Sequence, residues 1–529
     1  MTSAINTALM RLAPRAETND PATLVATFVD AGPLFTLLSS RNHQVLYGRR
    51  GTGKTHALYY LREHARKSGD HAVYVDLRQL GSSGGLYADS AIDIRQRATR
   101  LLVDTLLAVS NGVYDEILAA TVREPDVLEP ALSALSELSD CITQVRVAGP
   151  ITREIQSTVQ TQQSASESIS ATLASKPSVG VEVKDATSQG ATVGLKRTEA
   201  GQEEQTIHFG STVQAMSKLL KALPGKRLWV LLDEWSVVPL ELQPLLADLI
   251  RRCMLPVRDL VVKIAAIEQR SRFLEVTASG YLGIELGADM SADVDFDDFM
   301  VFENDADRAK AFFADLIFRH VKQEHVETSG PSPEIASLKD AADLVSKAFT
   351  QRTAFDELVR AAEGVPRDAM HIASLAAQRA VNDVISVPHI RVAARKWYQR
   401  DKEKTVSSNP GALKLLHWIH EQVINKRRAR ACLVRQDEGR MDPMLRLLFD
   451  ARVLHVLKRG VSGGDVPGVR FDVYALDYGC YVELVSTKVA PVGLLGDDAE
   501  LAGEVPRDDY RSLRRAILDL DEFRASLGP

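Results

Sequence analysis

The chain has little cysteine. Cys141, Cys253, Cys432 and Cys480 lie far apart in 529 residues, with no CxxC and no Cys/His pairing. That spacing argues against a zinc site and a disulfide framework, and it suits a reducing cytosol. No run of about 18 apolar residues occurs, and the N-terminus lacks an apolar core of signal-peptide length, so a soluble cytoplasmic protein is expected. A global basic charge is missing too. The formal net charge is −6, so any contact with nucleic acid must come from a local patch. No internal repeat is found, which counts against a signalling or scaffold switch, since such proteins often end in helical or β repeats. With 45% hydrophobic and 25% charged residues, the composition is that of a globular protein, and the length suggests roughly two to four domains.

What is present begins with Gly48-Arg49-Arg50-Gly51-Thr52-Gly53-Lys54-Thr55. Here a glycine and a second glycine five residues later bracket a loop that ends in Lys and Thr, the complete phosphate-loop pattern. Polyphosphate is multiply negative, and backbone N–H groups at a helix N-terminus, where the dipole is positive, suit it. Gly48, Gly51 and Gly53 let the backbone curl around phosphates with no Cβ in the way. Lys54 is suited to place its ammonium between the β- and γ-phosphates, and the Thr55 hydroxyl to coordinate Mg²⁺. The context agrees. His43 to Tyr47 reads as a short buried strand, and His56 to Lys67 as a helix with Ala57, Leu58, Leu61 and Ala65 at helical spacing. The expected nucleotide contacts are therefore Gly48, Arg49, Arg50, Gly51, Thr52, Gly53, Lys54, Thr55 and His56, with ATP and Mg²⁺ as ligands.

Further on, Leu228 to Leu232 is uniformly apolar and ends in Asp233-Glu234. Such a strand is buried on both faces, and its C-terminal end meets the ligand crevice. Asp233 is the candidate Mg²⁺ residue, and Glu234 the group that polarises the attacking water. Trp235 reads as a core anchor rather than a base-stacking platform. The buried strand Leu260 to Ile267 leads to Glu268-Gln269, either of which is placed to sense a γ-phosphate. Arg251, Arg252 and Arg270 are candidates for a finger into a neighbouring site, or ordinary surface arginines. Ile284-Glu285-Leu286 reads as a final strand. Gly364-Val365-Pro366-Arg367-Asp368 opens a helix running to Val381 and puts Arg367 within reach of a nucleotide.

Residues 150 to 210 are rich in Ser, Thr, Gln and Glu. Val179, Val181 and Val183 alternate, as do Val193 and Leu195, with turn residues between them, and this reads as a β-hairpin: a surface insertion, or an arm for a neighbouring subunit or a nucleic acid. Residues 305 to 400 read as helical, including Ala306 to His320, Glu334 to Ala348 and Phe355 to Ala362. His417 and His420 on one helix lack a third ligand and read as surface residues.

Taken together these pieces resemble the AAA+ ATPases, most closely their origin-recognition-like branch. Gly48 to Thr55, Leu228 to Glu234 and Gly364 to Asp368 carry the likeness. The resemblance implies an α/β fold with a P-loop NTPase parallel sheet over residues 1–300, a helical lid over 301–405, a winged helix over 406–490, and a linker with a closing helix, Tyr510 to Ser526, over 491–529. In the winged helix, Ala412 to Ile424 and Met444 to Phe449 fit helices, Arg452 to Leu457 a strand, and Val469 to Leu476 with Tyr481 to Val485 a two-stranded wing. The resemblance also implies ATP hydrolysis, with Glu234, Lys54 and Arg367 catalytic and Thr55 and Asp233 at the metal, and nucleotide-controlled assembly with further copies or a partner protein. Residues 410–488 hold thirteen Lys or Arg against nine Asp or Glu. Lys426, Arg427, Arg428, Arg430 and Arg435 could meet DNA phosphates, or form a solvated helix end, or belong to a winged helix that binds protein. The second functional class is an ATP-gated signalling or scaffold switch that never touches DNA.

Overall fold

The fold is that of a computed structural model. It describes the chain apart from residues 1–2, 13–18, 81–86, 88, 90, 122–125, 127, 144, 161–191, 206–207, 226, 279, 298–304, 328–331, 428, 463–467, 490–504, 506–515 and 527–529. Among the described residues the strands are β1 Gln44–Tyr47, β2 His71–Asp76, β3 Val145–Gln160, β4 Thr192–Gln205, β5 Leu228–Asp233, β6 Leu260–Ala266, β7 Leu274–Thr277, β8 Gly280–Gly283, β9 Ser291–Asp295, β10 Ala431–Arg435, β11 Leu454–Ser462 and β12 Arg470–Leu476. The architecture is α/β, centred on a five-stranded parallel sheet in the order β2-β5-β6-β1-β9. The chain leaves β1 for the far edge, returns strand by strand, and places β9 on the other side of β1. That reversal makes β1 the switch point of the sheet, where an α/β crevice opens at the strands' C-terminal ends.

Every residue of β5 and β6 is buried, as expected for strands covered on both faces. One apolar layer joins the helix Lys54–Lys67, through Leu58 and Leu61, to Phe312 and Phe313 of Ala306–Glu327. The other packs Ile94–Thr121, Leu128–Ile142, Phe209–Ala222 and Gln243–Cys253 against Val230 and Val262. Lys263 is wholly buried in β6. Its ammonium donates to the Ser40 and Asn42 carbonyls at 2.8 and 3.0 Å, and burial lowers its pKa to about 7.

Several sequence expectations are corrected. The last strand of the sheet is β9, whereas Ile284 to Leu286 precede a turn at Gly287 (φ 95°) in which Asp289 accepts from the Glu285 N–H. β9 reads Ser-Ala-Asp-Val-Asp, and such charges on an edge strand mask its signal. The partner of Val193 and Leu195 is β3, through Val159 and Ser157, while Val179, Val181 and Val183 lie outside the described residues. Glu334 to Ala348 is broken into Pro333–Ala336 and Ala341–Ala348, because Asp340 caps the second piece by accepting from the Asp343 N–H at 2.8 Å.

Towards the C-terminus, β10, β12 and β11 form an antiparallel sheet in that order, flanked by Pro410–Ile419 and Pro443–Asp450. Tyr481 to Val485 is not a strand. It lies in the helix Tyr478–Val489, whose first turn is capped by Asp477 accepting from the Cys480 N–H at 3.0 Å. The apolar run that suggested a strand is buried instead through Tyr478, Cys480, Tyr481 and Val482. The last described helix is Leu520–Ser526, and Tyr510 falls outside the described residues. Among the described residues no helix is long and apolar enough to cross a membrane.

Candidate nucleotide site

The loop after β1 turns through Gly51 and Gly53, at φ 86° and 93°, left-handed values that glycine adopts without steric cost. Gly53 caps the helix Lys54–Lys67, so free N–H groups and the positive dipole end meet the crevice. Lys54 donates to the Gly48 and Arg49 carbonyls at 2.7 and 2.9 Å. Burial lowers its pKa, against the pull of Asp233 and Glu234. Thr55 donates to Asp233 Oδ2 at 2.6 Å, Tyr74 donates to the same oxygen at 2.8 Å, and the Glu234 N–H donates to Oδ1 at 2.8 Å. Asp233, 1% exposed, is thereby fixed against the Thr55 hydroxyl.

Glu234 follows at φ 59°, a left-handed backbone uncommon outside glycine and asparagine. Burial, then the Asp233 charge, pushes its carboxyl above the ordinary range, while Arg78 and Lys54 oppose the shift. Arg78 is held by Asp76 at 2.7 Å and stands 3.7 Å from Glu234.

Lys54, Thr55, Arg78 and Glu234 line a cavity of about 490 Å³, together with Arg50, Gly51, Gly53, His56 and, from the helix Pro366–Ala380, Arg367. The Arg367 N–H donates to the Gly51 carbonyl at 3.3 Å. A Cβ on Gly51 would stand 3.0 Å from Arg367 and Val365, so the glycine also permits this close approach. The lining also includes Asn19, Leu24, His320 and Met370. His56 donates from Nε2 to the Leu24 carbonyl at 2.5 Å, and burial pushes His320 down to about 4.

Residues 13–84, which contain the phosphate loop and its two flanking strands, match the family model ORC-CDC6-like. The match is confined to that stretch of the chain. No curated protein matches it. Among solved structures, the Aeropyrum pernix Orc1 protein in complex with DNA aligns over 89% of this chain and 97% of its own, at 14% identity and a TM-score of 0.31. So loose a superposition carries no weight of its own.

Three residues of the expected nucleotide set do not line the cavity: Gly48, Arg49 and Thr52. Arg49 turns away altogether. Its N–H and Nε donate to Asp297 at 3.1 and 2.8 Å, Nη2 donates to the Glu363 carbonyl at 2.7 Å, and Nη1 meets His455 of β11. Thr52, fully buried, donates to the Arg49 carbonyl at 2.9 Å. Neither Glu268 nor Gln269 reaches the cavity, and Glu268 pairs instead with Arg459 of β11. Arg251 and Arg252 are both held by Asp248, and Arg270 by Asp450 at 2.9 Å. Trp235 is fully buried and stacks on Phe273, with ring centroids 4.9 Å apart.

Sequence reasoning missed Tyr74, Asp76, Arg78 and Ser236. Asp76 lies beside Asp233 in the sheet register, so the rule applied to β5, that strand C-termini face the crevice, would have found it on β2. Also unforeseen is a buried ionic chain that joins the nucleotide side to the C-terminal sheet. Beyond Arg49 and His455 it runs through Asp477 and Lys402 (2.5 Å), then Asp368 (2.9 Å), then Arg452 and Asp401. Burial opposes ionisation of Asp368, but Arg452 and Lys402 outweigh it and hold the carboxyl well below the usual range. Arg430 pairs with Glu363 and is 1% exposed, which removes it from any DNA-facing set. Arg435 pairs with Asp437 and Glu438, Lys426 and Arg427 are exposed, and Arg428 lies outside the described residues.

Among the described residues no group of three or more His, Cys, Asp or Glu could hold a metal ion, and this includes His417 and His420. The Thr55 and Asp233 oxygens still fit Mg²⁺. That ion accepts one or two protein oxygens and completes its shell with phosphate oxygens and water.

Proposed function

We propose that this chain binds ATP with Mg²⁺ in the 490 Å³ cavity and hydrolyses it. One observation carries the reading: Gly51, Gly53, Lys54 and Thr55 of the phosphate loop, Glu234 and the lid-side Arg367 line one cavity, and Thr55 is bonded there to Asp233 behind it. Lys54 neutralises the β- and γ-phosphates in place of the loop carbonyls it now contacts. Thr55 and Asp233 hold the metal, which when bound neutralises charge on the transferred phosphoryl group. Glu234 orients the attacking water and accepts its proton. Arg367 reaches the γ-phosphate from the helix whose backbone is tied to Gly51, so the nucleotide biases the position of that helix. Asn19, Leu24, His320 and Met370 form the nucleoside end.

Residues 1–300, 301–405 and 406–490 act as nucleotide unit, lid and winged helix, with 491–529 as linker and closing helix. In this reading nucleotide state governs oligomerisation and engagement of duplex DNA, in replication, mobile-element maintenance or phage defence. Lys426 and Arg427, with the exposed Lys458 and Arg470 of the β11–β12 hairpin, supply phosphate contacts. A second reading, a switch that binds a protein partner, is favoured by the ion pairs that already occupy Arg430 and Arg435. Retention on duplex DNA that weakens steeply with salt supports the first, and salt-independent indifference to DNA the second. For the site itself, Lys54→Ala is expected to lose ATP binding, while Glu234→Gln keeps binding and stops turnover. Normal turnover in Glu234→Gln refutes the assignment.

A further inference from the structure

Asp233 meets three hydrogen-bond donors, and one of them has no part in the roles assigned above. Thr55 and the Glu234 N–H belong to the nucleotide machinery. The third donor, Tyr74, comes from the middle of β2, opposite Leu231 of β5 in the sheet register, and its hydroxyl reaches Asp233 Oδ2 at 2.8 Å. The Tyr74 ring packs against Tyr59 of the helix Lys54–Lys67, with centroids 4.5 Å apart. Strand and helix together therefore fix the direction of the hydroxyl.

A carboxylate oxygen has two lone pairs. Oδ2 engages both, one with Thr55 at 2.6 Å and one with Tyr74, while Oδ1 engages one with the Glu234 N–H at 2.8 Å. The single proton of the Thr55 hydroxyl is committed to Oδ2, which leaves the lone pairs of its oxygen for a cation. Asp233 itself keeps one open lone pair, on Oδ1, so it cannot clamp an ion through both oxygens. The divalent cations that accompany ATP differ on this point. Ca²⁺ readily takes a carboxylate through both oxygens in a flexible shell, whereas Mg²⁺ keeps several waters in a strict octahedron.

We propose that Tyr74 is a metal-selectivity residue. By filling the second lone pair of Oδ2 it prevents Asp233 from chelating, so the site favours hydrated Mg²⁺ over Ca²⁺ beside a bound nucleotide. Tyr74 does not line the nucleotide cavity and acts through Asp233, as a positioning residue. The proposal rests on the ATP reading above, and its test tells the two apart.

The test is the affinity of the full chain for a fluorescent non-hydrolysable ATP analogue in saturating Mg²⁺, in saturating Ca²⁺ and in EDTA, for wild type and Tyr74→Phe. Phenylalanine keeps the ring against Tyr59 and removes only the donor. The expected result is a wild-type preference for Mg²⁺ that shrinks about tenfold in Tyr74→Phe, the change expected when one hydrogen bond to a charged acceptor is lost. Affinity in EDTA should stay the same. Equal weakening of all three affinities means that Tyr74 only supports the loop, and overturns the proposal. A preference that the substitution leaves unmoved, or a wild type without one, overturns it too while leaving the ATP reading intact. If wild type binds no analogue even in Mg²⁺, the ATP reading fails and the proposal falls with it.

Discussion

Replacing Arg49 by alanine separates the arrangement seen in the fold from the one its position in the loop motif suggests. Arg49 is 3% exposed and satisfies the Asp297 carboxylate, the Glu363 carbonyl and His455 Nδ1 at once. Its removal leaves those acceptors buried without their cation. Deleting one partner of a buried ion pair typically costs about 3–5 kcal/mol, because the remaining charge is desolvated and uncompensated. Arg50, its exposed neighbour, makes no such contacts, so Arg50→Ala should change stability by no more than about 0.5 kcal/mol. The assay is urea denaturation followed by tryptophan fluorescence. The first transition is the one compared, since a chain of several bodies need not unfold in one step. Arg49→Ala should unfold at clearly lower urea than wild type or Arg50→Ala, and ATP affinity measured well below the transition should be nearly unchanged. An unshifted midpoint with lost ATP affinity would place Arg49 on the phosphates and refute the geometry.

Other predictions follow from the same contacts. Glu234 must be ionised to take a proton, and its pKa lies above the ordinary 4.5; as pH falls, hydrolysis should therefore decline before an ordinary glutamate would protonate, and a pH–rate profile with its acid limb at or below 4.5 would contradict this. His455 titrates near 6.5 when unfolded, but burial and Arg49 hold it at about 3 in the fold. Below 6.5 the unfolded chain takes up a proton that the fold refuses, so stability should fall from pH 6.5 towards 3 by up to about 1.4 kcal/mol per unit; His320, at about 4, acts with the same sign. Urea midpoints across that range, in wild type and His320→Asn, read the effect, and a smaller slope in the variant is expected. Trp235→Ala should cost about 3–5 kcal/mol through loss of its packing on Phe273, with ATP affinity intact in the folded fraction, where a base-stacking role would lower affinity instead.

The parts of the fold that were legible from sequence are those where a residue pattern answers to one local cause. β1, β5 and β6 are mostly apolar because both faces are covered, and the phosphate loop is dictated by the ligand it suits. Asp233 and Thr55 meet because the end of β5 and the first turn of the helix after the phosphate loop face one crevice. What was not legible depends on contacts between segments far apart in sequence. Arg49 sits in the motif yet its direction is set by Asp297 and His455. Arg430 belongs to a basic run yet is drawn inward by Glu363. The helix at Tyr481 mimics a strand because the run from Tyr478 to Val482 is buried without a break, which erases periodicity.

The most direct test of the account is ATP hydrolysis by the purified chain, with and without duplex DNA at low salt, using Glu234→Gln as the blank and Lys54→Ala as the binding control. The expected outcome is Mg²⁺-dependent turnover in wild type, ATP binding without turnover in Glu234→Gln, no binding in Lys54→Ala, and stimulation by DNA that fades as salt rises. Equal turnover in wild type and Glu234→Gln, or ATP binding that survives in Lys54→Ala, would contradict it.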